Sequence, residues 1–363
     1  MRERTAAPVG DIIYYDPGKP VEELERELGI EGAVKLASNE NPLGPSPRAM
    51  EAVRRAMSGV HRYPDGSGYY LKGALARHHG LSRGHFVLGN GTNEVLELLA
   101  HAFLDPGDEV VLAECAFVVF SIVAQLSRAR RVIVPLRGLT HDLGAMAERV
   151  TERTKLVFVA NPNNPTGTAV GREEVERFLA RVPERALVVF DEAYWHYVSR
   201  PDFPDTLAYL RERRNIVVTR TFSKAYGLAG LRVGYGVMDP EVAGYLNRVR
   251  EPFNVNALAL VAAEAALEDV EHVERSVRLN REGKEYLYRA LDSLEVPFVP
   301  TEGNFLLVEV GDGRATFEAL LRRGVIVRPM GGYGLPRHVR VTIGLPEGNR
   351  RFIEALQAIR EGG

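Results

Sequence analysis

The chain has 363 residues, more than a single compact core holds at the usual scale of roughly 100–200 residues per domain. A composition of 45% hydrophobic and 26% charged residues excludes wholesale disorder, and 46 Lys+Arg against 48 Asp+Glu, a formal net charge of −2, excludes a whole-protein basic field for nucleic acid. The single Cys115 can form no intrachain disulfide; with no motif around it, it reads as a small buried residue in a reducing compartment.

From the N-terminus, Met1 to Asp11 is charged and lacks the apolar stretch of a leader peptide. The longest uncharged apolar run, Cys115–Leu126, falls short of the roughly 18–20 residues a membrane helix needs. A cytoplasmic protein with no membrane partner is expected. Turn chemistry at Asp16-Pro17-Gly18-Lys19-Pro20 and a short amphipathic segment, Val21–Leu28, predict an arm plus a short helix over 1–30.

An alternation then begins. Short apolar runs rich in Val and Ile predict seven buried strands: Phe86–Leu88, Val110–Leu112, Val132–Val134, Leu156–Val159, Leu187–Phe190, Ile216–Thr219 and Val233–Val237. Segments of helical period lie between many of them, at Glu94–Phe103, Phe117–Leu126, Arg172–Leu179 and Glu241–Val249. Continuous apolar strands alternating with helices indicate an α/β domain, largely parallel and covered on both faces, over 31–254. After Pro252 a long helical stretch runs from Asn256 to Leu294 with a break near Asp269. Strands at Asn304–Val310, Val325–Val327 and Val339–Ile343 and helices at Ala315–Arg323 and Arg350–Arg360 follow, which predicts a smaller α+β domain over 255–363.

Four segments carry candidate chemistry. In Gly89-Asn90-Gly91-Thr92-Asn93-Glu94, between a strand and a helix, glycines allow close backbone approach and the helix start offers free amides to an anion. Glu94 breaks the dinucleotide fingerprint, which counts against a nicotinamide enzyme. In Asn161-Pro162-Asn163-Asn164-Pro165-Thr166-Gly167 two Asn-Pro steps force a rigid extended-then-turn path able to aim an amide; a plain surface turn explains the prolines but not the repeated Asn. At Asp191-Glu192-Ala193-Tyr194 a carboxylate stands where an apolar strand ends. It is either a turn cap or the partner of a cation, and a protonated pyridine nitrogen is one such cation. In Thr219-Arg220-Thr221-Phe222-Ser223-Lys224-Ala225-Tyr226-Gly227-Leu228-Ala229-Gly230-Leu231-Arg232 a buried strand runs out into hydroxyls, one lysine, glycines and an arginine. A desolvated amine there is a Schiff-base nucleophile and the hydroxyls with Arg232 suit a phosphate; a solvated loop lysine is the ordinary alternative.

In this order and spacing, the motifs closely resemble the fold-type-I pyridoxal-phosphate aminotransferases, most strongly the histidinol-phosphate aminotransferase family in their class II branch. The similarity extends from Ser38-Asn39-Glu40-Asn41-Pro42-Leu43-Gly44 through Arg62-Tyr63-Pro64-Asp65 to Val339-Arg340-Val341-Thr342-Ile343-Gly344. The resemblance implies a large pyridoxal 5′-phosphate domain with a mainly parallel seven-stranded sheet between helices. It implies that Lys224 bonds the cofactor and moves the substrate Cα proton, that Asp191 pairs with the pyridinium, and that Tyr194 and Asn164 bond the ring oxygen. Gly91, Thr92, Asn93, Thr221, Ser223 and Arg232 would hold the phosphate and Phe117 would stack on the ring. Tyr63 would cross a homodimer interface to the partner's cofactor phosphate. No metal is implied.

Two positions depart from the family pattern: Cys115 stands where proline is common and Phe120 where tyrosine is common. For the substrate the resemblance points to Arg340 at the α-carboxylate and Arg328 at the phosphate, with Asn39, Tyr63 and either Tyr14 or Tyr15 at the same mouth. Structural ion pairs are the alternative for both arginines. A guanidinium fork takes carboxylate and phosphate alike, which suits a site that must accept glutamate and histidinol phosphate in turn. The implied reaction converts L-histidinol phosphate and 2-oxoglutarate to imidazole-acetol phosphate and L-glutamate, a step of histidine biosynthesis. An aromatic amino-acid aminotransferase is the main alternative, followed by a pyridoxal-phosphate decarboxylase of a phosphorylated amino acid. A cofactor-binding regulatory module would carry a helix-turn-helix extension that the sequence does not display.

Overall fold

The computed structural model describes residues 9–12 and 18–362. Tyr14 and Tyr15 lie outside the described residues. The seven apolar runs form one seven-stranded sheet: β1 (Phe86–Gly89), β2 (Glu109–Ala113), β3 (Arg130–Val134), β4 (Thr154–Ala160), β5 (Leu187–Asp191), β6 (Ile216–Thr221) and β7 (Gly234–Met238). Their order is β1-β7-β6-β5-β4-β2-β3. Only β7 runs antiparallel to its neighbours, so the sheet is mainly parallel.

The strand period explains the unbroken apolar runs. Along β4, Val157 and Val159 enter the core on one face, while Leu156, Phe158 and Ala160 enter the core on the other. Both faces are covered, so no polar face is needed. At the edge, β3 keeps several exposed positions, as a strand with one free side does.

The small domain carries an antiparallel sheet of β8 (Phe298–Val299), β9 (Phe305–Glu309), β10 (Arg328–Pro329) and β11 (His338–Thr342), in the order β10-β11-β9-β8. A separate parallel pair joins Val34–Lys35 to Val325–Ile326. Leu36 packs into the small-domain core, and Leu24 clusters with Ala37 and Ile326.

The helix that follows the expected boundary at residue 255 packs toward the large sheet. The Ala257–Leu267 helix buries Ala259, Ala262, Ala263 and Ala266 in the large-sheet core, against the Pro47–Ala56 helix. Its small residues let the two helices approach closely. The chain turns at Asp269, and the Val270–Ser293 helix continues into the small domain. At that joint the Ser46 hydroxyl donates to Asp269 at 2.5 Å, and Asp269 caps the next helix.

The Pro47–Ala56, Tyr69–His79 and Leu143–Glu148 helices are additions to the sequence reading. The first carried a legible start: Ser46 accepts from the Ala49 amide at 3.2 Å and Pro47 occupies the first turn.

Candidate active site

The carboxyl ends of β4, β5 and β6, the turn after β1, and two small-domain segments enclose a cavity of about 270 Å³. Open α/β sheets bind ligands at this end, where side chains leave the ladder and converge. Asn39, Thr92, Asn93, Phe117, Asn164, Asp191, Tyr194, Thr221, Ser223, Lys224, Arg232 and Arg340 all line it.

One end of the cavity is built for an anion. The Thr92–Phe103 helix begins there after Gly91, and no side chain caps its free amides. Gly91 has φ +77°, and a Cβ on it would stand 2.5 Å from a terminal nitrogen of Arg232. The missing side chain lets the guanidinium lie over the helix start. Arg232 donates to the Ala229 carbonyl at 3.1 Å and reaches the Ser223 hydroxyl at 3.5 Å. The Thr221 hydroxyl accepts from the Ser223 amide at 3.0 Å, which ties the hydroxyl turn together.

Acid and base occupy the middle. Asp191 ends β5, and its carboxylate accepts from the Ala193 amide at 3.2 Å. It is 4% exposed, and burial raises its pKa to about 6. Lys224 lies beyond β6, half-buried in the cavity wall, with its ammonium 3.2 Å from the Ser38 carbonyl. Burial, then the Arg340 charge, lowers its pKa to about 8. An amine so depressed is partly neutral near neutral pH, the form that attacks a carbonyl or accepts a carbon-bound proton.

Tyr194 is buried, and burial pushes its phenol up to about 12. The Asn39 amide donates to its oxygen at 3.0 Å, which leaves the phenol proton for another acceptor. Arg340, in β11, donates to Asn164 and, at 2.8 Å, to the Ala37 carbonyl. Asn164 is thereby held from the small-domain side while its loop springs from β4.

Three predicted residues stand apart. Tyr63 is 83% exposed and stacks on Phe253 at 4.8 Å between ring centroids, away from this chain's own cavity. Arg328, register partner of Arg340 on β10, is half-buried outside the cavity lining, with its guanidinium against Gly18. Tyr14 lies outside the described residues. Of the two departures, Cys115 is buried, donates to the Tyr333 carbonyl at 3.3 Å, and is pushed up to about 12 by burial. Phe120 stacks on Phe158 at 4.7 Å, inside the core.

The sequence reading missed Ser38, Glu40 and Tyr333, which also line the cavity. Ser38 and Glu40 flank a residue already singled out. Tyr333 sits in the glycine-rich turn Gly331-Gly332-Tyr333-Gly334, whose closeness to Lys224 is set by domain packing alone.

Comparison with known proteins matches residues 31–356 to the family described as aminotransferase class I and II. A histidinol-phosphate aminotransferase of Moorella thermoacetica is 53% identical over 347 residues, covering 95% of this chain and 90% of that protein. The histidinol-phosphate aminotransferase 1 of Nitrosococcus oceani is 50% identical over 357 residues, covering 98% and 96%. Among solved structures, histidinol-phosphate aminotransferase from Sinorhizobium meliloti in complex with pyridoxal-5′-phosphate superposes with a TM-score of 0.90 at 28% identity, covering 98% of each chain.

Proposed function

The chain belongs to the class I and II aminotransferases, in their histidinol-phosphate branch, and on that premise we propose that it transfers an amino group between L-histidinol phosphate and 2-oxoglutarate in the cavity around Lys224, with pyridoxal 5′-phosphate as cofactor. The observation that carries the reading is the meeting, in one cavity, of a depressed lysine, a buried carboxylate and an uncapped helix start beside an arginine.

These residues fit the group. The Gly91 cradle, the Thr92 and Asn93 amides, Thr221, Ser223 and Arg232 would receive its phosphate, at the place where a Cβ would collide with the guanidinium. Phe117 would lie against a face of its ring, and Asp191 would hold the proton on the ring nitrogen. Bound there, the cofactor supplies a carbonyl carbon that takes up the amino group and a protonated ring that draws electrons from the substrate Cα.

The protein supplies the rest. Neutral Lys224 would take the proton from substrate Cα and hand it to the cofactor carbon that has taken up the amino group, and the same transfers in reverse would serve the second substrate. Tyr194, its oxygen already accepting from Asn39, donates its own proton to the ring oxygen, and Asn164 is aimed at the same atom by Arg340. Arg340 grips the α-carboxylate of the incoming substrate. Arg328, register partner of Arg340 but outside the cavity lining, would take the substrate phosphate at the mouth.

The reading includes a cytoplasmic homodimer. Tyr63 and Phe253, stacked on each other, are exposed, as are Met57, Val60 and Tyr70, and a second copy would cover them and receive Tyr63 at its cofactor phosphate. No helix among the described residues is long and apolar enough to cross a membrane.

A donor panel with 2-oxoglutarate tests the substrate. Histidinol phosphate is expected to give the highest kcat/KM; phenylalanine or tyrosine exceeding it would overturn that choice in favour of an aromatic aminotransferase.

A further inference from the structure

Behind the cavity wall lies a second set of buried polar groups that the reaction above does not use. Side chains alternate along a strand, so Thr219 faces Asp191, Thr221 faces the cavity and Arg220, between them, faces away. At the end of β5 Asp191 faces the cavity and Glu192 faces away. Arg220 and Glu192 therefore meet behind the wall, and both are buried, at 7% and 0% exposure. Two guanidinium nitrogens of Arg220 donate to one Glu192 oxygen at 2.9 and 2.8 Å. The Thr206 hydroxyl donates to the other oxygen at 2.5 Å.

The rest of the guanidinium is also engaged. It lies over the Trp195 ring at 4.1 Å and bonds the Tyr235 phenol. The Tyr235 oxygen is 2.9 Å from His79 Nε2. Burial and the Arg220 charge lower the His79 pKa to about 3, so that ring is neutral and shares one hydrogen bond with the phenol. Removing one partner of a buried ion pair leaves a bare charge, so such pairs hold their geometry firmly.

We propose that Arg220 is a positioning residue for Asp191: bonded to Glu192 across the ends of β5 and β6, it fixes the turn that carries Asp191 and Tyr194 against the loop that carries Lys224, and it cancels the Glu192 charge standing beside Asp191. The inference rests on the assignment of Asp191 to the cofactor nitrogen made above. The geometry requires both effects. Glu192 donates its backbone amide to the Thr219 carbonyl at 2.9 Å, so the pair clamps the strands one residue past Asp191 and four before Lys224.

Other groups also face Asp191. On its own turn are Glu192, the Ala193 amide and Tyr194. The Thr219 hydroxyl and Lys224 come from β6 and its loop. On the β4 side, Asn161 donates its amide to the Asp191 carbonyl, and His141 is buried against Ala160 and Asn163 with its pKa lowered to about 4, hence neutral. Among charged groups, Glu192 and Lys224 act on it most strongly, and Glu40, Arg232 and Arg340 line the same cavity.

The test follows the Asp191 carboxyl by ¹³C resonance of labelled aspartate in the cofactor-free protein, alongside kcat/KM against pH for the holoenzyme. Arg220→Met leaves Glu192 uncompensated, so the Asp191 midpoint and the acid limb of kcat/KM are expected to move up by about one pH unit. Glu192→Gln removes the negative neighbour and keeps Arg220, so both are expected to move down by a similar amount. The double variant Arg220→Met/Glu192→Leu carries neither charge, and both midpoints should return toward wild type. Opposite shifts that cancel in the double variant are what an electrostatic positioning role produces. Shifts that are absent or of equal sign, with stability alone affected, would overturn it. Should Arg220→Met fail to fold, an unmoved midpoint in Glu192→Gln overturns the inference by itself. Asp191→Asn separates the two readings. Wild-type turnover in that variant would remove the cofactor assignment and this role together. Lost turnover there, with unmoved midpoints in the Arg220 and Glu192 variants, would remove this role alone.

Discussion

The half of the cavity that faces the large sheet and the half that faces the small domain draw on the chain in different ways. On the sheet side, Thr92, Asn164, Asp191, Thr221 and Lys224 stand at or just beyond the ends of neighbouring strands, each in a contiguous motif. Position there follows from strand order and period. On the other side, Asn39, Tyr333 and Arg340 come from segments about 300 residues apart in sequence, brought together through hydrogen bonds such as Asn39 to Thr342 at 2.9 Å. The sheet side is a rigid template for one constant ligand. The small-domain side is an assembled surface, suited to substrates that alternate.

Substitutions sharpen or break this contrast. Lys224→Ala removes the only lysine lining the cavity among the described residues, and turnover should fall by at least about 10³-fold while the protein stays folded. Residual turnover near wild type would sink the sheet-side assignment altogether. Next in size, Arg232→Ala is expected to weaken cofactor binding by about 10–100-fold, measured by equilibrium titration of the cofactor-free protein. Arg340→Met should instead raise KM for both substrates by about 10–100-fold with a smaller effect on cofactor affinity. If Arg340→Met loosens the cofactor as much as Arg232→Ala does, its bond to Asn164 joins the halves into one unit and the contrast fails.

Asp191→Asn probes the template without its ligand. The folded pKa of Asp191 is raised from 3.8 to about 6, so its charged form opposes folding above pH 6 and this opposition vanishes below pH 3.8. Cofactor-free Asp191→Asn should therefore be more stable than wild type at pH 7.5, by up to about 3 kcal/mol, and no more stable near pH 3.5. Denaturant melts at both pH values check the sign. The smallest effect is expected for Tyr63→Phe, a loss of about two- to tenfold in cofactor affinity through one phenol bond. No loss, in a protein that sediments as a dimer, would remove Tyr63 from the partner's site.

Legibility in the sequence follows the same division. The seven strands were readable because burial on both faces demands continuous Val, Ile and Leu, and all seven occur. Asp191 and Lys224 stood out because each follows a buried apolar run, but a turn cap and a solvated loop lysine explained them equally well until the order of the motifs was read as a whole. The Leu143–Glu148 helix was not, since two turns carry too little periodicity. Nor was the Ala257–Leu267 helix assignable to the large core, because an alanine-rich helix shows no apolar face to choose between partners. Tyr333 and Arg220 needed the third dimension. One is placed by a domain contact; the other has a partner 28 positions away in sequence that meets it only behind the finished sheet.

The Val34–Lys35 pairing with Val325–Ile326 also bears on how the molecule comes into being. A segment made early in translation has no ladder partner until nearly the whole chain has left the ribosome, whereas strands β1 to β7 can join well before that. Asn39 lies just beyond this late seam, and its amide waits for Thr342, later still. The nascent protein therefore shapes the template first, and the grip on the Tyr194 phenol is among the last features to mature.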